Sequence, residues 1–195
     1  MEHNMAIQSV PLEKAYRLLN HGPTVLVSAK HQSTENVMAA SWACALEFSP
    51  AKVTVVLDKM TFTRSLVEQS GWFALQVPVV QQAQIVVDVG SESLKDHPNK
   101  LNEFGVRLFY QDGFQTPLVE GCVAWLMCKL IPEQHNQEAH DLFIGEVVSA
   151  WADDRVFKDG HWQFDDVPTE LKTLHYIAGG QFYVIGQGLK VNKGP

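Results

Sequence analysis

The chain distributes its hydrophobic residues over many short runs rather than a few long ones. Thr24-Val-Leu-Val-Ser-Ala, Lys52-Val-Thr-Val-Val-Leu and Trp72-Phe-Ala-Leu-Gln-Val are β-branched and aromatic stretches of strand length. Residues 36–48 predict another strand, closed by Ser49-Pro50, where proline ends regular pairing. Further strands are expected at Gly121–Ile131, Leu142–Trp151 and Gln181–Gly186. Helical patterns are fewer. Pro11–Asn20 places Leu12, Ala15, Tyr16 and Leu19 on one face before the stop His21-Gly22-Pro23. Thr63–Ser70 and Gln81–Val89 predict helices terminated by Gly71 and Gly90. The polar stretch Gly90–Gly105, with Pro98 inside it, reads as an excursion over the surface. Strand and helix do not alternate, which excludes a doubly wound parallel sheet. The expected fold is mainly β with helical insertions, an α+β chain built on a β-barrel.

Composition narrows the function. A chain of 195 residues that is 46% hydrophobic supports a single domain over residues 1–195, and 19% charged residues is too few for a largely disordered protein. Fifteen Lys+Arg against 22 Asp+Glu give a net charge of −7 with no basic stripe, so no nucleic-acid partner is expected. Apolar runs such as Cys122–Met127 stop far short of the roughly 20 residues a membrane span requires. The start, Met1 to Ile7, lacks the basic-then-apolar profile of a signal peptide. None of the three cysteines forms a C-x-x-C pair, and a soluble, reduced, cytoplasmic protein is expected.

Several familiar signals fail. Gly186-Gln-Gly188 follows a strand but opens no helix, so it is no dinucleotide fingerprint. There is no phosphate loop ending in Gly-Lys-Ser/Thr and no Gly-x-Ser-x-Gly elbow. His135 and His140 are five apart, whereas helical zinc pairs prefer four, and no metal site is expected. Cys122 and Cys128 share strand parity and are read as buried small hydrophobes on one face.

Two segments carry the chemistry. In Asn36-Val-Met-Ala-Ala-Ser-Trp42, the small side chains of Ala39, Ala40 and Ser41 leave the backbone open to a flat partner, with the large aromatic Trp42 beside them. Asp58-Lys-Met-Thr-Phe-Thr-Arg-Ser65 leaves a strand and enters a helix. That junction offers helix N-terminal N–H groups, two threonine hydroxyls and the cations Lys59 and Arg64, an anion site without a glycine cradle. The plain alternative is a helix capped by Thr61 or Thr63.

Together these segments resemble the flavin reductase-like, FMN-binding split-barrel family. The resemblance rests on Asn36-x-Met-Ala-Ala-Ser-Trp, on Ser49-Pro50 before a strand, and on the Thr-x-Thr-Arg helix start with Gly71-x-Phe73. His140-Asp-Leu-Phe-Ile-Gly-Glu-Val147 and Leu174–Gly186 extend it, in the family's order, over a core of about residues 24–186. Length and the position of Trp42 are closest to the flavoredoxin branch.

The resemblance implies an oxidoreductase in which NAD(P)H passes hydride to FMN and the reduced flavin serves a second acceptor, a small molecule or a protein. It also implies a homodimer with flavin near the subunit boundary. By position, Asn36, Met38, Ala39, Ala40, Ser41 and Trp42 meet the ring and ribityl chain. Thr61, Thr63 and Arg64 hold the phosphate with Lys59 nearby, and Lys100 reaches the cofactor from the excursion. His140 is the catalytic candidate beside the ring, and Tyr176 is an aromatic neighbour. FMN brings about two negative charges, so a chain this acidic must localise its cations to hold it. Val37 departs from the family, many of whose members carry glycine there. The segments 90–105 and 153–170 are expected to cover part of the flavin. Two other readings remain open: an electron carrier with protein partners and slow NAD(P)H oxidation, and a scaffold that has lost its flavin.

Overall fold

The computed structural model describes residues 7–15 and 24–191. The strand-length runs become β2 (Val25–His31), β3 (Thr34–Ala40), β4 (Ala43–Phe48), β5 (Ala51–Val56), β6 (Trp72–Val77), β9 (Ala124–Ile131) and β10 (Leu142–Asp153). They pair in the order β3-β2-β6-β9-β10-β5-β4, every ladder antiparallel. The short β1 (Ile7–Ser9) adds to β10 at Trp151–Asp153, beyond the stretch Leu142–Glu146 that pairs with β5. The two ends of this order are β3 and β4, separated in sequence by Ser41 and Trp42 alone. The sheet therefore curls until its edges approach, and no ladder joins them.

The curl encloses one core. Val25 and Val27 of β2, Val53 and Val55 of β5, Leu75 of β6, Leu126 of β9 and Phe143 of β10 belong to a single buried cluster. Intervening residues such as Leu26, Ala74, Trp125 and Met127 point outward and are buried again, beneath Val86 and Val89 of the helix α3 (Ala83–Ser91). Burial on both faces explains why these strands read as continuous apolar runs rather than as alternation. Gly145 has a tertiary reason: a Cβ there would lie 2.5 Å from the ring tip of Phe73 and 3.0 Å from Cys128 Cβ, so only hydrogen lets the Phe73 ring cross the interior.

Smaller elements decorate the barrel. The helix α1 (Leu12–Ala15) realises the start of the expected 11–20 helix, and the remainder, with Tyr16 and Leu19, lies outside the described residues. α2 (Phe62–Ser70) buries Leu66 and Val67 against the barrel core and stops at Gly71, whose φ of 72° is left-handed. α4 (Lys100–Glu103) lies in the polar excursion, and α5 (Gln134–His140) precedes β10. Three two-stranded pieces complete the order: β7 (Leu108–Phe109) with β8 (Leu118–Val119), β11 (Phe157–Lys158) with β12 (His161–Trp162), and β13 (Leu174–Ala178) with β14 (Gln181–Val184). Among the described residues no helix is long and apolar enough to cross a membrane.

Three expectations need correction. The run 36–48 is two strands, because Ser41-Trp42 breaks it where the sheet edges meet. Gly90 does not end a helix: α3 runs through it to Ser91, and its missing side chain answers a tertiary contact, since a Cβ there would meet Ala39 Cβ at 3.1 Å. Cys122 and Cys128 do not share a face. Cys122 precedes β9 and packs on the α3 side, whereas Cys128 faces the barrel interior. Both are fully buried, and burial pushes both thiols well above their usual range.

Candidate cofactor site

The strand β3 organises the site. Asn36 is 2% exposed, and its Nδ2 donates to Thr63 Oγ1 at 3.0 Å, tying the strand to the first turn of α2. Its Oδ1 is buried with no hydrogen-bond partner. A buried amide oxygen without a donor costs about 1–3 kcal/mol, so the position calls for a hydroxyl or N–H from outside the chain.

At the start of α2 no side chain caps the helix. Thr61 stands at the N-cap, but its hydroxyl donates to Asp58 O at 2.7 Å, and Thr63 accepts from Asn36. The capped-helix alternative is thereby set aside, and no side chain caps the first-turn N–H groups, the kind of donor that holds anions at a helix start. Thr63 is fully buried.

The cations behave differently from expectation. Arg64, 8% exposed, gives Nε to Glu68 at 2.8 Å, Nη1 to Leu57 O at 3.2 Å and to Asp141 Oδ1, and Nη2 to Gln137 O at 2.9 Å. It also lies 5.1 Å from the Phe143 ring. Burial opposes its charge, but the Glu68 and Asp141 carboxylates overcome this and hold the guanidinium above its usual range. This network makes Arg64 a staple joining α2, α5 and the head of β10, with its three nitrogens engaged, rather than a free phosphate ligand. Lys59 is exposed at the same rim, donating to Glu138 O at 2.7 Å with Asp141 at 4.0 Å.

Lys100, expected to reach the cofactor from the polar excursion, is 1% exposed. Its Nζ donates to Val89 O at 3.1 Å and Glu92 O at 2.6 Å, closing the C-terminal end of α3. Burial pulls its pKa down to about 8, against the opposing influence of Glu92.

The other end of β3 opens on a cavity of about 190 Å³. Ala39, Ala40 and Ser41 form one wall, Gly90 and Ser91 of α3 another, and Tyr176 a third. Tyr176 is positioned through its backbone, whose N–H donates to Thr24 Oγ1 at 2.9 Å, while Thr24 N–H donates to Leu174 O at 3.1 Å. Met38 packs against the barrel core instead. Trp42 is 73% exposed, and its carbonyl accepts from Val56. His140 ends α5, exposed, 5.8 Å from the His135 ring, and does not line the cavity. Among the described residues no group of three or more His, Cys, Asp or Glu could hold a metal ion. Sequence reasoning missed Thr24, Gly90, Ser91 and Asp141. Only Gly90 left a signal, which was read as a helix stop.

A mostly β chain built on one antiparallel sheet with a few helices matches the fold of flavin reductase-like split-barrel proteins. The model of the flavin reductase like domain matches residues 17–181, and the chain belongs to that family. It is 44% identical to the Escherichia coli protein YddH over 181 residues, 91% of this chain and 94% of that one. Among solved structures, an FMN-binding domain of a flavin reductases-like enzyme from Shewanella baltica is 59% identical, with a TM-score of 0.95 over 97% of this chain and 99% of that one. The flavoredoxin of Desulfovibrio vulgaris has a TM-score of 0.74 at 22% identity, covering 87% of this chain and 90% of its own, a likeness of fold alone.

Proposed function

We propose that this protein is an FMN-dependent oxidoreductase that takes electrons from NAD(P)H and passes them to a second acceptor. The observation that carries the reading is the Asn36–Thr63 pair at the uncapped start of α2, with Asn36 Oδ1 buried and unpartnered. These residues fit a ligand with a phosphate at one end and hydroxyl groups next to it. The similarity to the Shewanella baltica domain, described as FMN-binding, supports the same assignment.

FMN held there would supply the redox chemistry, that of a hydride acceptor and electron donor. The chain supplies position and electrostatics. The first-turn N–H groups of α2 and the Thr63 hydroxyl hold the phosphate, with Lys59 as the nearby exposed cation. Asn36 Oδ1 accepts from a ribityl hydroxyl. The backbone from Met38 to Trp42 flanks the ring beside the cavity that Tyr176 closes. His140 orients the nicotinamide from a rim outside that cavity, and in a homodimer it serves the flavin at the subunit boundary. Dimerisation is supported by the edge strand β4, which exposes Leu46 (52%) and Phe48 (64%) next to Trp42.

The test is spectroscopic. Protein reconstituted with FMN should show a bound-flavin spectrum, and anaerobic mixing with NADH or NADPH should bleach it rapidly. Slow bleaching of a bound flavin assigns the protein to electron carriage instead, and failure to bind FMN removes both readings. Thr63→Val should weaken FMN binding about 10- to 100-fold, the value of one charge-assisted hydrogen bond of about 1.5–3 kcal/mol. Unchanged affinity in a flavin titration would place the phosphate elsewhere.

A further inference from the structure

The helix α5 has no hydrophobic reason to sit where it does. None of its seven residues, Gln134 to His140, is buried, and no side chain caps its start. Isolated helices shorter than about 12–15 residues are marginal in water, so its internal hydrogen bonds do not account for it. We propose that Arg64 is a positioning residue: with Lys59 it caps the last turn of α5 from another element, and so fixes His140 to the segment that seats the phosphate. The inference rests on the flavin reading for the role of His140, and on geometry alone for the clip.

The last carbonyls of a helix have no partner within it. Those of α5 are met one by one. Asn136 O accepts from the Asp141 N–H, Gln137 O from Arg64 Nη2 at 2.9 Å, and Glu138 O from Lys59 Nζ at 2.7 Å. Both cations stand at the negative end of the helix dipole, yet neither belongs to α5. They come from residues 59–64, where the chain leaves β5 and enters α2. Asp141, the next residue after the helix, is held twice: its Oδ1 accepts from Arg64 Nη1, and its carbonyl accepts from the Leu57 N–H at 2.8 Å. The backbone of His140 is thus pinned on both sides, while its ring stays exposed, 5.8 Å from that of His135.

The two cations are not equivalent. The Lys59 side chain is 61% exposed, so water can take its place. Arg64 is buried, and one rigid fork reaches Leu57 O, Asp141 and Gln137 O through its two terminal nitrogens while Nε serves Glu68. A lysine there keeps the charge but offers all its donors from a single atom, and cannot span the same acceptors. This explains why a buried cation stands beside an anion-binding turn with its donors engaged elsewhere: they serve α5. The turn that seats the phosphate and the helix that carries His140 are one rigid piece.

The experiment uses Arg64→Lys, His140→Ala and the double variant. Amide hydrogen exchange of the FMN-free protein, followed by mass spectrometry, reads the clip directly. Exchange over residues 138–141 should be about tenfold faster in Arg64→Lys, with β6 and β9 unchanged, since the opening is local. Anaerobic stopped-flow reduction of the FMN-loaded protein by NADH or NADPH reads the consequence. Arg64→Lys should slow reduction by about 10- to 100-fold with FMN affinity unchanged, the scale of a misplaced orienting group. The double variant should be no slower than His140→Ala, because a residue that acts through the imidazole has nothing further to lose once it is gone. Parent-like exchange at α5, or a defect that adds to that of His140→Ala, overturns the proposal. If His140→Ala is reduced at the parent rate, or FMN does not bind, the flavin reading or its use of His140 falls separately, and exchange alone decides the clip. Where Arg64→Lys does not fold, Asp141→Asn takes its place, because asparagine tolerates the left-handed conformation found there.

Discussion

Arg64 and Lys100 are both buried cations, and both occupy positions where the family resemblance places contacts to the cofactor. Their surroundings differ in kind. Arg64 has two carboxylates, Glu68 and Asp141, and two backbone carbonyls, so its charge is neutralised within the chain. Among the described residues Lys100 donates only to carbonyl oxygens, and Glu92 acts on its charge without a salt bridge. A buried charge that the protein has already paired is architecture. One left unpaired carries a standing cost that a bound anion can reduce. The comparison therefore separates the two residues: Arg64 is held in the frame by paired charges, and Lys100 by backbone carbonyls at the end of α3.

The largest expected effect tests the first half of that contrast. Arg64→Ala removes a guanidinium that joins α2 to α5 and to the head of β10, and it leaves Asp141, at a partly buried position, with only the exposed Lys59 at 4.0 Å. Breaking a buried pair from one side costs about 3–5 kcal/mol. Urea unfolding of the variant should show a loss of that order, while FMN affinity of the folded fraction stays near that of the parent. A stable variant with strongly impaired FMN binding would return Arg64 to the phosphate site.

The second prediction concerns Lys100 and pH. Its folded pKa, about 8, lies below the ordinary 10.5 that it regains on unfolding. Between these values the unfolded chain binds more protons than the folded one, so stability rises with pH across that window. Below pH 8 the lysine is charged in both states and the burial cost is present in full, up to about 3 kcal/mol for a shift of this size. Lys100→Met should flatten the rise between pH 8 and 10.5 in urea titrations at several pH values. The same slope in parent and variant would show that Lys100 is already compensated.

These contrasts also mark what the sequence could reveal. The strands of the barrel were legible because β-branched runs of strand length have few other uses, and the stop at Gly71 was legible because a left-handed cap is a local requirement. The break at Ser41-Trp42 was not, since it arises where two sheet edges meet. Gly90 looked like a stop because the contact that requires it, Ala39 on β3, is distant in sequence. At the site, Asn36 and Thr63 were recognisable by motif, but the state of each cation was not. Arg64 depends on Asp141, 77 residues away, and the burial of Lys100 depends on how the excursion folds back on α3. Local patterns identify the charged residues; only tertiary packing shows which are already neutralised.

The smallest expected effects divide the neutralisation of Arg64 between its two carboxylates. Glu68 is one helical turn from Arg64 on α2 and its side chain is 45% exposed, whereas Asp141 is 24% exposed and bridges separate elements. Asp141 adopts φ of 54° at the end of α5, a left-handed conformation that asparagine also tolerates, so Asp141→Asn removes charge with little change in backbone preference. Asp141→Asn should cost about 1.5–3 kcal/mol, the range for a hydrogen bond to a charged group. Glu68→Gln should cost about 0.3–0.5 kcal/mol, as exposed pairs at this helical spacing do. Chemical denaturation of the two variants side by side checks the order, which follows from geometry: a carboxylate in water can be replaced by solvent, and one bridging α5 to α2 cannot. Equal costs would mean that Asp141 is as freely solvated as Glu68, and that Arg64 is anchored across elements by the carbonyls of Leu57 and Gln137.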